Sequence, residues 1–231
     1  MSIRQVLALM AILIGCIGTY QFAEYDWRAG FFDADNRLDG VWPWLNNIGL
    51  ILLFALQHSG MARQTFKKVI VRWIPATLER SLYVAMSGIV VGMLAFFWHP
   101  LPGEPFSEGP DWINAISLLG ALGVIVCCWW TDLPGFLGLR QATTGNAELH
   151  EPFRMDGPYR FVRHPLMLCL LVFLWARPIM PPELLMMNVG LTIYILIAIR
   201  LEERDLVREF GADYENYRKK VPALIPYRLF V

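Results

Sequence analysis

The chain has 231 residues, of which 56% are hydrophobic and 17% are charged, and its mean hydropathy is +0.43. So few charged side chains cannot cover the surface of a soluble domain of this size, and the composition therefore indicates an integral membrane protein in a lipid bilayer. The formal net charge is zero, which gives no indication of a nucleic-acid partner.

Apolar segments that are long enough to span a bilayer occur four times in the first part of the chain. A spanning helix needs about 20 apolar residues, and the segments lie at residues 5–23, 42–58, 81–98 and 112–131. Two shorter segments, 165–180 and 184–200, are separated by a turn with three prolines, which a continuous helix does not tolerate. The pattern predicts an all-α fold of five to six transmembrane helices, with a C-terminal helical hairpin.

We expect a single membrane domain over residues 1–231, because the chain contains no internal repeat and no segment typical of a separate soluble domain. Residues 1–131 would form the four N-terminal transmembrane helices. Residues 132–231 would form a polar loop, the hairpin and a charged tail.

The tail has the pattern of an amphipathic helix that continues out of the membrane. Leu206 and Phe210 lie four residues apart on one face, with arginines on another face, and Gly211 is expected to end the helix. A second short helix would then present Tyr214 and Tyr217 on one side. We expect this tail to cap a site at the start of the hairpin.

Lysine and arginine are distributed unevenly among the connections. Of the 20 basic residues, 17 lie in the N-terminus, in the loops 59–80 and 132–164, and in the tail from Arg200. Connections rich in these residues stay in the cytoplasm. We therefore expect both termini in the cytoplasm, with the chain in a bacterial inner membrane.

The most informative stretch is 157–165, where Arg163 and His164 stand directly before an apolar segment. Ionisable side chains at a membrane boundary are costly and commonly functional. Plainer interpretations stay open, in which the arginine binds lipid headgroups and the histidine only begins a helix. Glu202 and Glu203 end the hairpin with the opposite charge, and one of them is expected to pair only at the surface.

The four cysteines lie inside apolar segments, without the spacing of metal ligands or of a disulfide framework, so we expect packing residues and no metal site. The chain also lacks the glycine-rich nucleotide-binding motifs and the nucleophile elbow of soluble enzymes. Any cofactor site would therefore be built from helix ends and loops.

The order of these residues resembles the isoprenylcysteine carboxyl methyltransferase superfamily of membrane enzymes. The resemblance covers about residues 157–226 and depends on three runs, Arg163-His164-Pro165, Glu202-Glu203 and Phe210-Gly211-x-x-Tyr214-x-x-Tyr217. Within the superfamily, the chain is most similar to the methanethiol S-methyltransferase branch, through residues 57–63, 79–83, 138–141 and 201–206.

The resemblance implies a methyl transfer from S-adenosyl-L-methionine to a small thiol, such as methanethiol, to form dimethyl sulfide. It implies that the loop at 157–165 and the tail bind this cofactor, through Tyr159, Arg163, His164, Pro165, Glu203, Tyr214, Tyr217 and Arg218. For stabilisation of the thiolate or acceptance of its proton, and for catalysis in general, the candidates are His164, His58, Arg80 and Glu202.

The chain departs from the superfamily pattern His-Pro-x-Tyr-x-Gly, because Met167 and Cys169 occupy the tyrosine and glycine positions. Two other functions stay open, and this departure favours the second of them. One is methyl transfer to a prenylcysteine carboxylate or another lipidic acceptor, and the other is a non-catalytic membrane factor associated with nitrogen-oxide respiration. His58 and Arg80 also have plainer interpretations, as a structural histidine and a topology-setting arginine, and the oligomeric state is left open.

Overall fold

A computed structural model describes residues 2–27, 40–147 and 153–226. These residues confirm the all-α fold, with two 3-10 helices (Ala76–Leu78 and Gly157–Arg160) beside the α-helices. The α-helices are α1 (Ile3–Trp27), α2 (Trp42–Ala62), α3 (Gln64–Ile70), α4 (Glu79–Phe97), α5 (Ile113–Phe136), α6 (Leu139–Thr144), α7 (Pro165–Trp175), α8 (Pro182–Phe210) and α9 (Ala212–Lys220).

Within the described residues, four stretches of helix are long and apolar enough to cross a bilayer, which marks the chain as an integral membrane protein. They are Ile3–Tyr20, Ala76–Phe97, Ile113–Thr144 and Pro182–Phe210. The predicted span 42–58 forms helix α2, which carries asparagines near its start and a Gln-His pair near its end and is not one of these four stretches. Helix α7 is apolar but has only 11 residues. The total of five or six spans stays a prediction.

The helices of the predicted hairpin differ in extent from the expected segments. Helix α7 ends at Trp175, five residues early, because the chain turns toward the prolines at 178, 181 and 182. Helix α8 continues to Phe210, since no glycine or proline interrupts its charged end. Gly211 then has a φ of 53°, a conformation that glycine adopts without strain.

The described chain forms two compact units, each assembled from segments that are separated in the sequence. Unit 1 consists of Met1–Ser107, Leu133–His150 and Ile179–Met187. Unit 2 consists of Glu108–Asp132, Glu151–Pro178 and Asn188–Val231.

Unit 1 is built on a very close contact between α1 and α4. A Cβ atom placed on Gly18 would overlap the carbonyl oxygen of Gly88, and one placed on Gly88 would overlap the backbone of Gly15. Lipid gives helices no hydrophobic reason to associate, so close backbone approach at small residues is the usual source of their packing energy.

Unit 2 is held by hydrogen bonds between its helices. Ser117 of α5 donates through Oγ to the Phe173 carbonyl of α7 at 2.8 Å. Asn188 of α8 donates through Nδ2 to the Leu174 carbonyl, also at 2.8 Å. Both acceptors lie near the end of α7, where helix carbonyls lack partners within their own helix. These side chains therefore fix α5 and α8 against the end of the short helix.

We expect Gly88→Ala to lower the midpoint of thermal unfolding in detergent by about 4–8 °C relative to Gly49→Ala, because the added methyl group separates α1 from α4. Gly49 is the matched control, since it lies on α2 and has open space where a Cβ atom would be added. Equal midpoints for the two variants would show that the α1–α4 contact does not limit stability.

Candidate functional site

A cavity of about 150 Å³ lies in unit 2, where the loop before α7 meets the end of α8 and helix α9. Six of the predicted site residues line it: Tyr159, Arg163, His164, Glu202, Tyr214 and Tyr217. The other lining residues are Thr131, Phe153, Arg154, Leu206 and Phe210. The cavity therefore combines cationic, acidic and aromatic side chains from regions that are far apart in the sequence.

An ion pair between Arg163 and Glu203 joins the loop to α8. Arg163 Nε donates to Glu203 Oε1 at 2.8 Å, and only 9% and 14% of the two side chains are exposed. Arg163 Nη1 donates to the backbone carbonyls of Arg218 and Val221. Arg218 thus contributes its carbonyl group, while its side chain is exposed. The guanidinium group of Arg163 links the loop, α8 and the tail.

The backbone of the tail runs along the start of α7. The Arg163 amide donates to the Pro222 carbonyl at 2.8 Å, and the His164 amide donates to the Ala223 carbonyl at 3.1 Å. Pro165 is the first residue of α7, a position where the missing N–H is not needed, and it is buried. Pro165 therefore fixes where the helix begins.

Glu203 also orients the imidazole ring of His164. His164 Nε2 lies 3.1 Å from Glu203 Oε1. Because an ionised carboxylate can only accept, this bond keeps the proton of a neutral ring on Nε2 and leaves Nδ1 as the proton acceptor. Nδ1 lies 3.8 Å from Oε2 of Glu202, whose side chain is half-exposed. The arrangement produces an oriented base beside a second carboxylate.

Aromatic rings form one wall of the cavity, with Phe153 at their centre. Its ring centroid lies 5.0 Å from that of Phe210, 5.6 Å from that of Tyr214 and 5.4 Å from that of Tyr217. Burial raises the pKa of Tyr217 to about 12, so its hydroxyl stays protonated and donates to the Tyr159 carbonyl at 2.6 Å. The wall therefore offers flat apolar surface next to the charged groups.

The two remaining predicted catalytic residues, His58 and Arg80, belong to a polar cluster in unit 1. Tyr83 Oη lies 2.7 Å from His58 Nε2, and Ser87 Oγ lies 3.1 Å from His58 Nδ1. Arg80 donates through Nε to the Phe136 carbonyl at 2.8 Å, and its guanidinium carbon lies 5.2 Å from the ring centre of Tyr83. This packing holds Arg80 in one orientation.

Several lining residues are absent from the sequence-based prediction of the site. Phe153 and Arg154 lie in a loop without periodicity, so nothing in the pattern distinguishes them. Leu206 enters that prediction as part of the apolar face of a tail helix, and Phe210 as part of that face and of a family motif, but neither is named there as a site residue. Their four-residue spacing next to the Glu202–Glu203 pair is the signal that could have placed them in the site.

Comparison with known proteins identifies the family. The chain is 39% identical over 192 residues to methanethiol S-methyltransferase 2 of Bradyrhizobium diazoefficiens, which covers 80% of this chain and 74% of the relative. It is 34% identical over 229 residues to the methanethiol S-methyltransferase of Crocosphaera subtropica, which covers 96% and 90%. The chain belongs to the methanethiol S-methyltransferase family. This membership confirms the resemblance seen in the motifs.

A more distant relative is Nurim of Xenopus laevis. It is 32% identical over 176 residues, which cover 69% of this chain and 61% of Nurim. No family model and no solved structure matches the chain.

In this chain, the departure from the superfamily pattern at Cys169 is accommodated by a glycine on the facing helix. A Cβ atom on Gly123 of α5 would lie 2.6 Å from Cys169 Sγ, so the sulfur occupies the space that this glycine leaves. The described residues that line the cavity include neither Met167 nor Cys169. Cys169 therefore affects helix packing in unit 2.

We expect Arg163→Lys to increase hydrogen exchange at the amides of positions 163 and 164 at least about tenfold, because a lysine cannot replace the planar fork that bridges Glu203 and two carbonyls. Exchange measured by mass spectrometry reads this change directly. The matched control is Arg160→Lys, since Arg160 is exposed and does not line the cavity. Unchanged protection in Arg163→Lys would contradict the proposed link to the tail.

We expect Gly123→Ala to destabilise the protein by about 1–3 kcal/mol through overlap with the sulfur of Cys169. Adding Cys169→Gly should recover part of this loss, with a coupling energy of about 0.5–3 kcal/mol in a double-mutant cycle of unfolding in detergent. If the two substitutions were additive, the contact would not explain how the chain tolerates a cysteine here.

Proposed function

We propose that the protein is a membrane methyltransferase that uses S-adenosyl-L-methionine to convert methanethiol to dimethyl sulfide. The observation that carries the proposal is the cavity of unit 2, in which cations, carboxylates and an aromatic wall meet, in a chain whose relatives are named methanethiol S-methyltransferases. The charge distribution supports a bacterial inner membrane with both termini in the cytoplasm, where this cofactor is made.

The residues present fit such a cofactor. Its amino group and ribose hydroxyls need an acceptor, and Glu202 lines the cavity with a half-exposed carboxylate. Its adenine needs an aromatic or apolar shelf, which Phe153, Tyr214 and Phe210 supply. The donor set therefore matches a molecule that carries both charges and a flat heterocycle.

When bound, the cofactor would supply a methyl group on a sulfonium centre for in-line transfer to sulfur. The acceptor thiol must lose its proton, since alkyl thiols are largely protonated at neutral pH with a pKa near or above about 8.5. His164 is suited to accept this proton, because Glu203 holds the hydrogen on Nε2 and leaves Nδ1 as the base. Arg163 keeps Glu203 ionised and in place.

His58 and Arg80 are the alternative candidates for accepting the proton of the thiol or stabilising its thiolate. The hydrogen bonds of His58 to Tyr83 and Ser87 hold its ring, and the guanidinium of Arg80 is held beside the Tyr83 ring. Such a cluster favours a thiolate through its cation and its hydroxyl donors. Kinetics of variants at these positions separate the two assignments.

The function is tested by headspace analysis of the purified protein in detergent. Methanethiol with S-adenosyl-L-methionine should give dimethyl sulfide, and a farnesylated cysteine analogue in parallel should give little methyl ester. Saturable binding of the cofactor without dimethyl sulfide would exclude this acceptor. Absence of saturable binding in calorimetry would instead favour the non-catalytic alternative.

We expect His164→Ala and Glu203→Ala each to lower kcat/KM for methanethiol at least about tenfold, which corresponds to about 1.4 kcal/mol of transition-state stabilisation. His99→Ala is the control, since the hydrogen bonds of His99 to other described residues run from its backbone carbonyl and amide to Asn47, and the substitution keeps both groups. A comparable loss in His58→Phe, with normal turnover in His164→Ala, would move the base to the cluster in unit 1.

A further inference from the structure

Two arginines line the cavity of unit 2, and they differ in how far their donors are already used. Arg163 directs Nε and Nη2 at Glu203 and donates through Nη1 to two carbonyls of the tail. A guanidinium group has five N–H donors in a fixed plane. Arg163 therefore has at most one donor left for a ligand.

Arg154 is in the opposite situation. Its Nε is buried and has no acceptor among the described residues. Its Nη1 lies 3.6 Å from Asp156 Oδ2, beyond hydrogen-bond distance, and the Asp156 side chain is 60% exposed. The Arg154 side chain as a whole is 36% exposed and lines the cavity, so its guanidinium group has N–H donors available to an acceptor that enters.

Glu202 supplies the opposite charge in the lining of the cavity. Glu202 lines the same cavity as Arg154, so the cavity presents a carboxylate and a guanidinium with donor capacity. An α-amino acid group carries one carboxylate and one ammonium, and it needs one partner of each sign. Arginine binds carboxylates through two parallel N–H bonds, which fixes orientation as well as adding energy.

We propose that Arg154 binds the carboxylate of the methionine part of the cofactor, while Arg163 holds the loop, α8 and the tail together. This inference rests on the proposed function, since it assumes an amino-acid-bearing methyl donor. It makes Arg154 a binding residue that selects donors with a free carboxylate. The loop before the 157–165 motif then belongs to the cofactor site.

The test compares two ligands and two variants by isothermal titration calorimetry. The ligands are S-adenosyl-L-methionine and its decarboxylated analogue, which keeps the sulfonium, the adenine and the amino group. The variants are Arg154→Gln and Arg160→Gln, which each remove one positive charge, but Arg160 is exposed and does not line the cavity. Thermal unfolding of each variant checks that it folds.

We expect Arg154→Gln to weaken the binding of S-adenosyl-L-methionine at least about tenfold, as loss of a charged hydrogen bond does. Its binding of the decarboxylated analogue should stay within about twofold of the parent protein, since that ligand has no carboxylate to lose. Arg160→Gln should bind both ligands like the parent. If Arg154→Gln does not fold, Arg154→Lys allows the same comparison, because it keeps the charge and loses the paired N–H donors.

Equal weakening of both ligands, or no weakening of either, would overturn the assignment of Arg154. Failure of the parent protein to bind S-adenosyl-L-methionine at all would instead overturn the proposed function. The two failures are therefore distinguishable within one set of titrations.

Discussion

The ion pair between Arg163 and Glu203 is the interaction on which the candidate site depends. Both side chains are largely buried, and buried charges are stable only when further hydrogen bonds satisfy them. Two tail carbonyls meet this need for Arg163, and the ring of His164 meets it for Glu203. One pair thereby fixes the start of α7, the end of α8, the tail and the proton-accepting atom of a histidine.

The two adjacent glutamates at the charged end of α8 lie in different surroundings. Consecutive residues on an α-helix point about 100° apart, so Glu202 and Glu203 approach the two ring nitrogens of His164 from different directions. Glu203 turns toward Arg163 and His164, and Glu202 lines the cavity with a half-exposed side chain. Glu203 is therefore held in the wall of the site, whereas the carboxylate of Glu202 is exposed to the cavity.

Different parts of this arrangement are visible in the sequence to different degrees. Hydropathy is a local property, so it predicts the helical membrane fold, and the motifs predict the family. The predicted end of α7 is wrong, because a sharp turn ends this helix before its apolar segment ends. The difference between Glu202 and Glu203 depends on which face of α8 meets the loop. The loop that carries Arg154 has no period from which its position follows.

The contact between Cys169 and Gly123 shows that a glycine in a sequence motif can be replaced when the residue facing it is small. Two helices can approach closely when either of them has a small residue where they cross, so the requirement for a small residue applies to the pair of contacting positions. A glycine can then be lost from one helix without loss of the spacing, provided that its counterpart supplies the room. A motif that requires glycine at one sequence position excludes such chains, whereas a motif that requires a small residue at either of the two contacting positions would include them.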